Sequence, residues 1–360
     1  MLPKDIYSYL SKKVLGQDDA LKKVSVSVYK HIHGIKWGNI LLIGNSGTGK
    51  TTLMNSILQF YRDHEELTQF QAMSVMNANT LINDDGEVNI YRIFSDLESG
   101  ARNRLGAGIT PKELKAHIEN ATVCLDEIDK ISSKISGRTN VAGISIQQAL
   151  LTILEGEIIY IDSFFIQEGK KRAVRIPINT AKMLFVCGGA FEELYNQVYA
   201  LVESQKDGRK LKETFVWDDS KGLPERRIIF NLKDYMKIED LFNYGMIPQF
   251  ISRFSVINIL DNLNRYVLKQ ILLNAVDSPY INARSYFKTF GIDLSITDDA
   301  LEVIAAQAEA NTRIGARALR EVFNRIIVDL QFDPFGSDKI VTKDNQHTLE
   351  INKELLTQYL

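Results

Sequence analysis

Cysteine is nearly absent from this sequence. The 360 residues hold two, Cys124 and Cys187, and neither belongs to a C-x-x-C pair, so no cysteine-based zinc module is encoded. Each sits inside an apolar, strand-like run, where a buried, reduced thiol is the expectation. Long hydrophobic runs are also missing. No stretch approaches membrane-spanning length, and the opening Met1-Leu2-Pro3-Lys4-Asp5 has no apolar signal core. The expectation is a cytoplasmic chain with no membrane partner. Excess charge of either sign is absent as well. Against 45 acidic residues stand 43 basic ones, for a net charge of -2. Nothing in that balance asks for nucleic acid as the main partner. Internal repeats and low-complexity segments are not found.

What is present suits a globular protein. Hydrophobic residues make up 45% of the chain and charged residues 24%, enough for sizeable cores, and the length suits two or three domains. Helices are expected over 5–10 and 17–31, the second with Ala20, Val24, Val28 and Ile32 at helical spacing. A buried strand at 40–43 precedes a helix over 50–61. A strand near 70–75, a helix over 88–97, a Gly- and Arg-rich loop over 99–110 and a short helix opened by Pro111 follow. Thr122–Glu127 reads as a strand ending in two acids, and 145–154 as a helix. The stretch 156–178 reads as a β-hairpin with a basic tip at Lys170-Lys171-Arg172. Residues 182–187 form another apolar strand, and the polar stretch 203–224 reads as an inserted loop. Sheet material ends near 254–258. Helices over 265–275, 279–290, 298–310 and 315–332 come next, then a strand pair at 339–342 and 348–352. Strands alternating with helices give an α/β fold around a parallel sheet covered on both faces. A smaller, mostly α-helical domain follows, which divides the chain into 1–256 and 257–360.

The stretch Asn39-Ile40-Leu41-Leu42-Ile43-Gly44-Asn45-Ser46-Gly47-Thr48-Gly49-Lys50-Thr51-Thr52 organises the rest. From Gly44 to Thr51 it is a complete G-x-x-x-x-G-K-[ST] motif behind an apolar strand. Gly44, Gly47 and Gly49 let backbone N–H groups turn inward around a triphosphate. The helix that opens near Lys50 aims the positive end of its dipole at the phosphates. Lys50 is expected to reach the β- and γ-phosphates and Thr51 to ligate Mg²⁺. Asn45, Ser46, Thr48 and Thr52 complete the expected cradle for ATP.

Downstream, Asp126 is expected to hold Mg²⁺ and Glu127 to polarise the attacking water. Arg253, at the end of the α/β part, suits the negative charge that builds on the γ-phosphoryl group. Taken alone, it also reads as a surface arginine in an ion pair. Arg317 lies in the first turn of the 315–332 helix. From there it either senses the nucleotide or forms a local ion pair.

Together these residues resemble the ClpX protein-unfoldase branch of the AAA+ ATPases. The resemblance runs through Val14-Leu15-Gly16-Gln17-Asp18-Asp19-Ala20, the phosphate loop and Leu125-Asp126-Glu127-Ile128-Asp129-Lys130-Ile131-Ser132. It continues in Gln147-Gln148-Ala149-Leu150-Leu151, Leu154-Glu155-Gly156 and Phe185-Val186-Cys187-Gly188-Gly189-Ala190-Phe191. Gly245-Met246-Ile247-Pro248-Gln249-Phe250 through Arg253, and Gly315-Ala316-Arg317, complete it. The resemblance implies a P-loop NTPase fold, with Val14, Leu15 and Gly16 against the adenine. It implies Arg253 as an arginine finger for the neighbouring subunit's ATP and Arg317 as the second-domain sensor. It also implies a homo-hexameric ring that pulls a protein client through its pore.

The chain departs from the family in four places. The zinc module that usually opens family members is not found. The pore-loop position reads Asn83-Asp84-Asp85-Gly86-Glu87-Val88, with no aromatic grip, so an acidic tip takes its place. The family's Arg-Lys-His loop is matched only loosely by Lys170-Lys171-Arg172. The peptidase-docking Ile-Gly-Phe is absent from 203–224, where Phe215 and Trp217 stand in a polar stretch; peptidase docking therefore loses its sequence support. The expected function is ATP-driven remodelling or unfolding of a protein client. The rivals are a nucleotide-switched assembly factor that does not thread polypeptide, and a DNA-acting motor.

Overall fold

The computed structural model describes residues 1–35, 38–83, 85–106, 108–135, 137–167, 170–204, 208–209, 212–218, 223–311, 314–336, 339–343 and 346–359. Helices α1 (Pro3–Leu10) and α2 (Asp18–Ile32) precede β1 (Asn39–Ile43). Then come α3 (Lys50–Asp63), β2 (Met73–Asn77), α4 (Tyr91–Leu105), α5 (Pro111–Glu119) and β3 (Thr122–Asp126). The small strands β4 (Lys134–Ile135) and β5 (Arg138–Thr139) lead to α6 (Val141–Leu154), and β6 (Ile158–Gln167) and β7 (Lys170–Asn179) form a long hairpin. After β8 (Leu184–Gly189) and α7 (Glu192–Glu203) comes a second hairpin, β9 (Lys212–Asp218) and β10 (Leu223–Ile229). Three short helices, α8 (Leu232–Tyr235), α9 (Ile238–Tyr244) and α10 (Pro248–Ile251), lead to β11 (Phe254–Ile259). The remainder holds α11 (Arg265–Asn274), α12 (Pro279–Lys288), β12 (Ile292–Ile296), α13 (Asp298–Ala310), α14 (Ala316–Phe332), β13 (Ile340–Lys343) and β14 (Gln346–Ile351).

The chain divides into two compact units. One comprises Met1–Ile6, Lys22–Ile43 and Ile57–Ile259; the other comprises Tyr7–Leu21, Gly44–Ser56 and Leu260–Leu360. The first is built on a five-stranded sheet in the order β11-β1-β8-β3-β2, parallel throughout. All five residues of β1 and all six of β8 are buried, as a strand covered on both faces requires. Asn39 is the polar member of β1. Its Nδ2 donates to the Arg253 carbonyl (3.1 Å) and its Oδ1 accepts from Phe185 N–H (3.2 Å), which pins β1 between its neighbours. Cys124 and Cys187 are free thiols buried on β3 and β8. Burial pushes both well above the ordinary thiol range.

The second unit packs α11, α12, α13 and α14 around Leu268, Leu272, Phe287, Ile304, Phe323 and Ile326. A three-stranded sheet, β12-β14-β13, joins them.

Two stretches in the first unit differ most from the sequence reading. The 99–110 loop is helix as far as Leu105, because Ile93, Phe94, Leu97 and Ala101 keep an apolar face at helical spacing through Gly100. The inserted loop at 203–224 contains β9 and opens β10, in antiparallel register from Lys212↔Ile229 to Asp218↔Leu223. Phe215 and Trp217 lie on β9, but their side chains fall outside the described residues. In the acidic tip, Asp84 also falls outside. Around it, the Asn83 amide N–H donates to Glu87 O (2.9 Å), Gly86 takes φ +81, and Asp85 and Glu87 are exposed. Among the described residues, no helix is long and apolar enough to cross a membrane.

Candidate functional site

Within the second unit, the phosphate loop 44–49 ends at the first turn of α3. Gly47 takes φ +73 and Gly49 φ +101, backbone regions that a side chain rarely permits. A Cβ on Gly47 would stand 2.4 Å from the Ile314 carbonyl oxygen and 3.1 Å from Arg317 N. The start of α14 therefore lies directly on the loop, and Ala316 N–H donates to Gly47 O (3.1 Å). Gly315, at φ +49, allows this approach, because a Cβ there would meet Ser46 O at 2.8 Å. Arg317 is thus held by its backbone beside the loop, with its side chain exposed.

Lys50 is buried, and its Nζ donates to the carbonyls of Gly44 (2.5 Å) and Asn45 (3.0 Å). The ammonium is held against the loop's own backbone, where a phosphate oxygen would be a stronger, charged acceptor. Thr51 and Thr52 are exposed in the first turn of α3. Thr48 is buried, and its hydroxyl donates to Asn45 O (2.8 Å), closing the turn from within.

Val14 is buried, with Cγ1 3.3 Å from where a Cβ on Gly49 would stand. Gly16, at φ +74, packs against Val267 of α11, and a Cβ would come within 2.8 Å of its Cγ1. Leu15 is half-buried between them in the chain. The structure thus brings Val14, Gly16, the loop and the Arg317 backbone together in one unit.

The loop is also tied to the segment after β11. Gly44 leaves 2.8 Å between a would-be Cβ and Leu260 Cβ, and Asn45 Nδ2 donates to Asn262 Oδ1 (3.0 Å). The Gln17 side chain joins Thr48 O to the Asp261 backbone. In the sequence, Gln17 stands only within the Val14–Ala20 run. A buried amide whose partners lie 31 and 244 residues away leaves no local pattern to read.

Within the first unit, Asp126 ends β3 and Glu127 follows in the left-handed conformation, φ 54 and ψ 35. Its N–H donates to Asp126 Oδ1 (2.9 Å), and Glu127 is exposed. Such a backbone costs a non-glycine residue roughly 1–2 kcal/mol. It turns the chain sharply at the carboxyl end of the sheet, where ligands of open α/β folds bind. Phe191, just after β8, is the other described non-glycine residue with positive φ. Next to it, Ala190 N–H donates to the buried Asp129 (3.2 Å).

Arg253 lies at the opposite end of this sheet, just before β11. The register aligns Leu125, Cys187, Leu41 and Ile257. With the register shift that sets Phe254 opposite Asn39, Arg253 is about four residues, or roughly 13 Å, from the level of Asp126. Its guanidinium pairs with Glu155, which caps the C-terminus of α6.

Residues 35–257 match the family of the AAA domain (Cdc48 subfamily). Across nearly its whole length the chain is also similar to proteins named ATP-dependent Clp protease ATP-binding subunit ClpX. That of Borrelia duttonii is 31% identical over 99% of this chain and 80% of its own length. That of Bacteroides thetaiotaomicron is 29% identical over 98% and 81%. That of Porphyromonas gingivalis is 30% identical over 96% and 81%. With the phosphate loop on its strand and the Asp-Glu pair ending β3, the chain belongs to the AAA+ ATPases, in their ClpX branch.

Proposed function

We infer that this ATPase is a protein-remodelling motor that couples ATP hydrolysis to the unfolding of a protein client. The observation that carries the reading is the loop itself. Its positive-φ glycines, buried Lys50 and the backbone of Arg317 converge on one short stretch. Val14, Leu15 and Gly16 are assigned to the adenine, and Asn45, Ser46, Gly47, Thr48, Gly49, Lys50, Thr51 and Thr52 to the phosphates. Asp126 and Thr51 are hard oxygen donors suited to Mg²⁺, whose charge, when bound, would offset that building on the phosphoryl oxygens. Glu127 is assigned to the attacking water and Arg317 to sensing the nucleotide.

The position of Arg253 supports a shared site. It lies at the far end of the sheet from Asp126, so its charge serves a neighbouring subunit's nucleotide more readily than its own. A head-to-tail ring, in the family a hexamer, follows from such a contact. The reading further assigns residues 1–256 to the nucleotide-binding domain, 257–360 to the lid domain, and the cytoplasm as the place of action.

Steady-state hydrolysis by the parent chain beside its Glu127→Gln variant tests the reading. Turnover by the parent alone is expected, with ATP binding retained in both. Binding without turnover in either would leave a nucleotide-gated assembly factor in place of a motor. An Asp85→Tyr variant then addresses the acidic tip: faster client unfolding would mark the native tip as a weak grip.

A further inference from the structure

Gln17 is 1% exposed and stands immediately before α2. Its Oε1 accepts from Asp261 N–H (2.9 Å), while its Nε2 donates to Asp261 O (2.9 Å) and Thr48 O (3.2 Å). A primary amide has two N–H donors, and both are engaged. One end of the bridge is the backbone that leaves β11; the other is the phosphate loop.

The Thr48 carbonyl shares a planar trans peptide with Gly49 N–H, so the two point in opposite directions. Drawing the carbonyl toward Gln17 therefore turns the Gly49 N–H away from it. That N–H has no acceptor among the described residues. Thr48 N–H, by contrast, is already engaged with Asn45 O at 3.3 Å. The Gly49 backbone, at φ +101, gives the peptide freedom to rotate unless something holds it.

We propose that Gln17 is a positioning residue for the nucleotide. Its amide locks the Thr48–Gly49 peptide with the Gly49 N–H presented to a phosphate oxygen. The same amide makes the Asp261 backbone respond to whether the loop is filled. The inference rests on the nucleotide reading of the loop. A buried amide that only satisfies backbone groups would affect stability and leave nucleotide affinity alone.

The test measures ATP affinity, KM, kcat and the unfolding midpoint without nucleotide for the parent, Gln17→Met and Gln17→Glu. Methionine keeps the shape and removes every hydrogen bond. Glutamate keeps an acceptor for Asp261 N–H but cannot donate to Thr48 O. Both are expected to weaken ATP binding and raise KM about ten-fold, the worth of roughly one well-placed hydrogen bond. A smaller fall in kcat and a smaller loss of midpoint in Gln17→Glu are also expected. A folded Gln17→Glu variant within two-fold of the parent in affinity and KM overturns the inference.

Should both variants fail to fold, the parent carries the test alone. Hydrogen exchange over residues 260–264 is followed with and without a non-hydrolysable ATP analogue. Slower exchange with the analogue is expected, and unchanged exchange overturns the inference. Absence of ATP binding by the parent would bring down the nucleotide reading and this inference with it. Binding by the parent with unaltered Gln17→Glu brings down the inference only.

Discussion

At Glu127, a glutamate occupies a backbone conformation that glycine would fill without strain. Replacing it by glycine is expected to stabilise the fold by about 1 kcal/mol and to abolish ATP turnover. Denaturant unfolding and a hydrolysis assay on Glu127→Gly check both halves. His31 gives a second residue-scale expectation. Its Nε2 meets Asn120 O at 3.1 Å and its ring lies edge-on to Phe70. Burial lowers its pKa to about 4, outweighing hydrogen bonds to the Asn120 and Lys182 backbone. The folded chain thus resists a proton that the unfolded chain accepts near the ordinary 6.5. Stability from this group is complete above about 6.5 and is lost as pH falls toward 4. Unfolding midpoints from pH 7 to 4 should fall more gently in His31→Phe than in the parent. None of this strain or shielding was legible in sequence. Lys50 and Asp126 stand out in the sequence because the chemistry expected of them demands fixed neighbours in the chain. Gln17 and Glu155 depend on partners far away in it.

At the scale of elements, local signals were read well where chain neighbours decide the structure. Pro111 marked the start of α5, and the structure adds a complete capping box. Glu113 N–H donates to Thr110 Oγ1 (3.3 Å), and the Glu113 carboxylate accepts from Thr110 N–H (2.9 Å). The Thr110 N–H and hydroxyl, both donating to the Glu113 carboxylate, hold it below its usual range. Thr110→Ala is expected to cost about 1 kcal/mol in denaturant unfolding without changing ATP turnover. The four helices over 265–332 were legible from apolar spacing, and each ends within two residues of its expected bound. β12 was missed because its partner, β14, lies some fifty residues later, from Ile292↔His347 to Ile296↔Ile351. The β9–β10 hairpin was missed for a related reason. Its antiparallel backbone register joins runs that show no apolar alternation of their own. In the long hairpin, Tyr160 and Phe164 face solvent, covered by Arg175 at 4.8 Å and Lys171 at 4.6 Å from the ring centroids. Lys171, read in sequence as part of a basic tip, thus also shields a ring, as does Arg175 further along β7.

At the scale of the whole molecule, a site completed by a neighbour's Arg253 has a signature no single variant gives. Lys50→Ala and Arg253→Ala should each be inactive alone. When mixed, they should regain part of the parent's ATP turnover, because some interfaces pair an intact loop with an intact arginine. Mixtures with no regained activity would place Arg253 outside the shared site. Release from Glu155 would accompany any such contact, so Glu155→Gln should lower the protein concentration at which turnover saturates.

The division into two compact units bears on how this chain can be cut. The backbone passes between them at Ile6/Tyr7, Leu21/Lys22, Ile43/Gly44, Ser56/Ile57 and Ile259/Leu260. A nick after Ile259 therefore severs only one of five covalent links, and a fragment beginning at Leu260 would leave behind both 7–21 and 44–56. Such a fragment loses Gly44, Asn45 and Gln17, the groups that meet Leu260, Asn262 and Asp261. Limited proteolysis should accordingly yield nicked chains that stay together rather than two independent pieces.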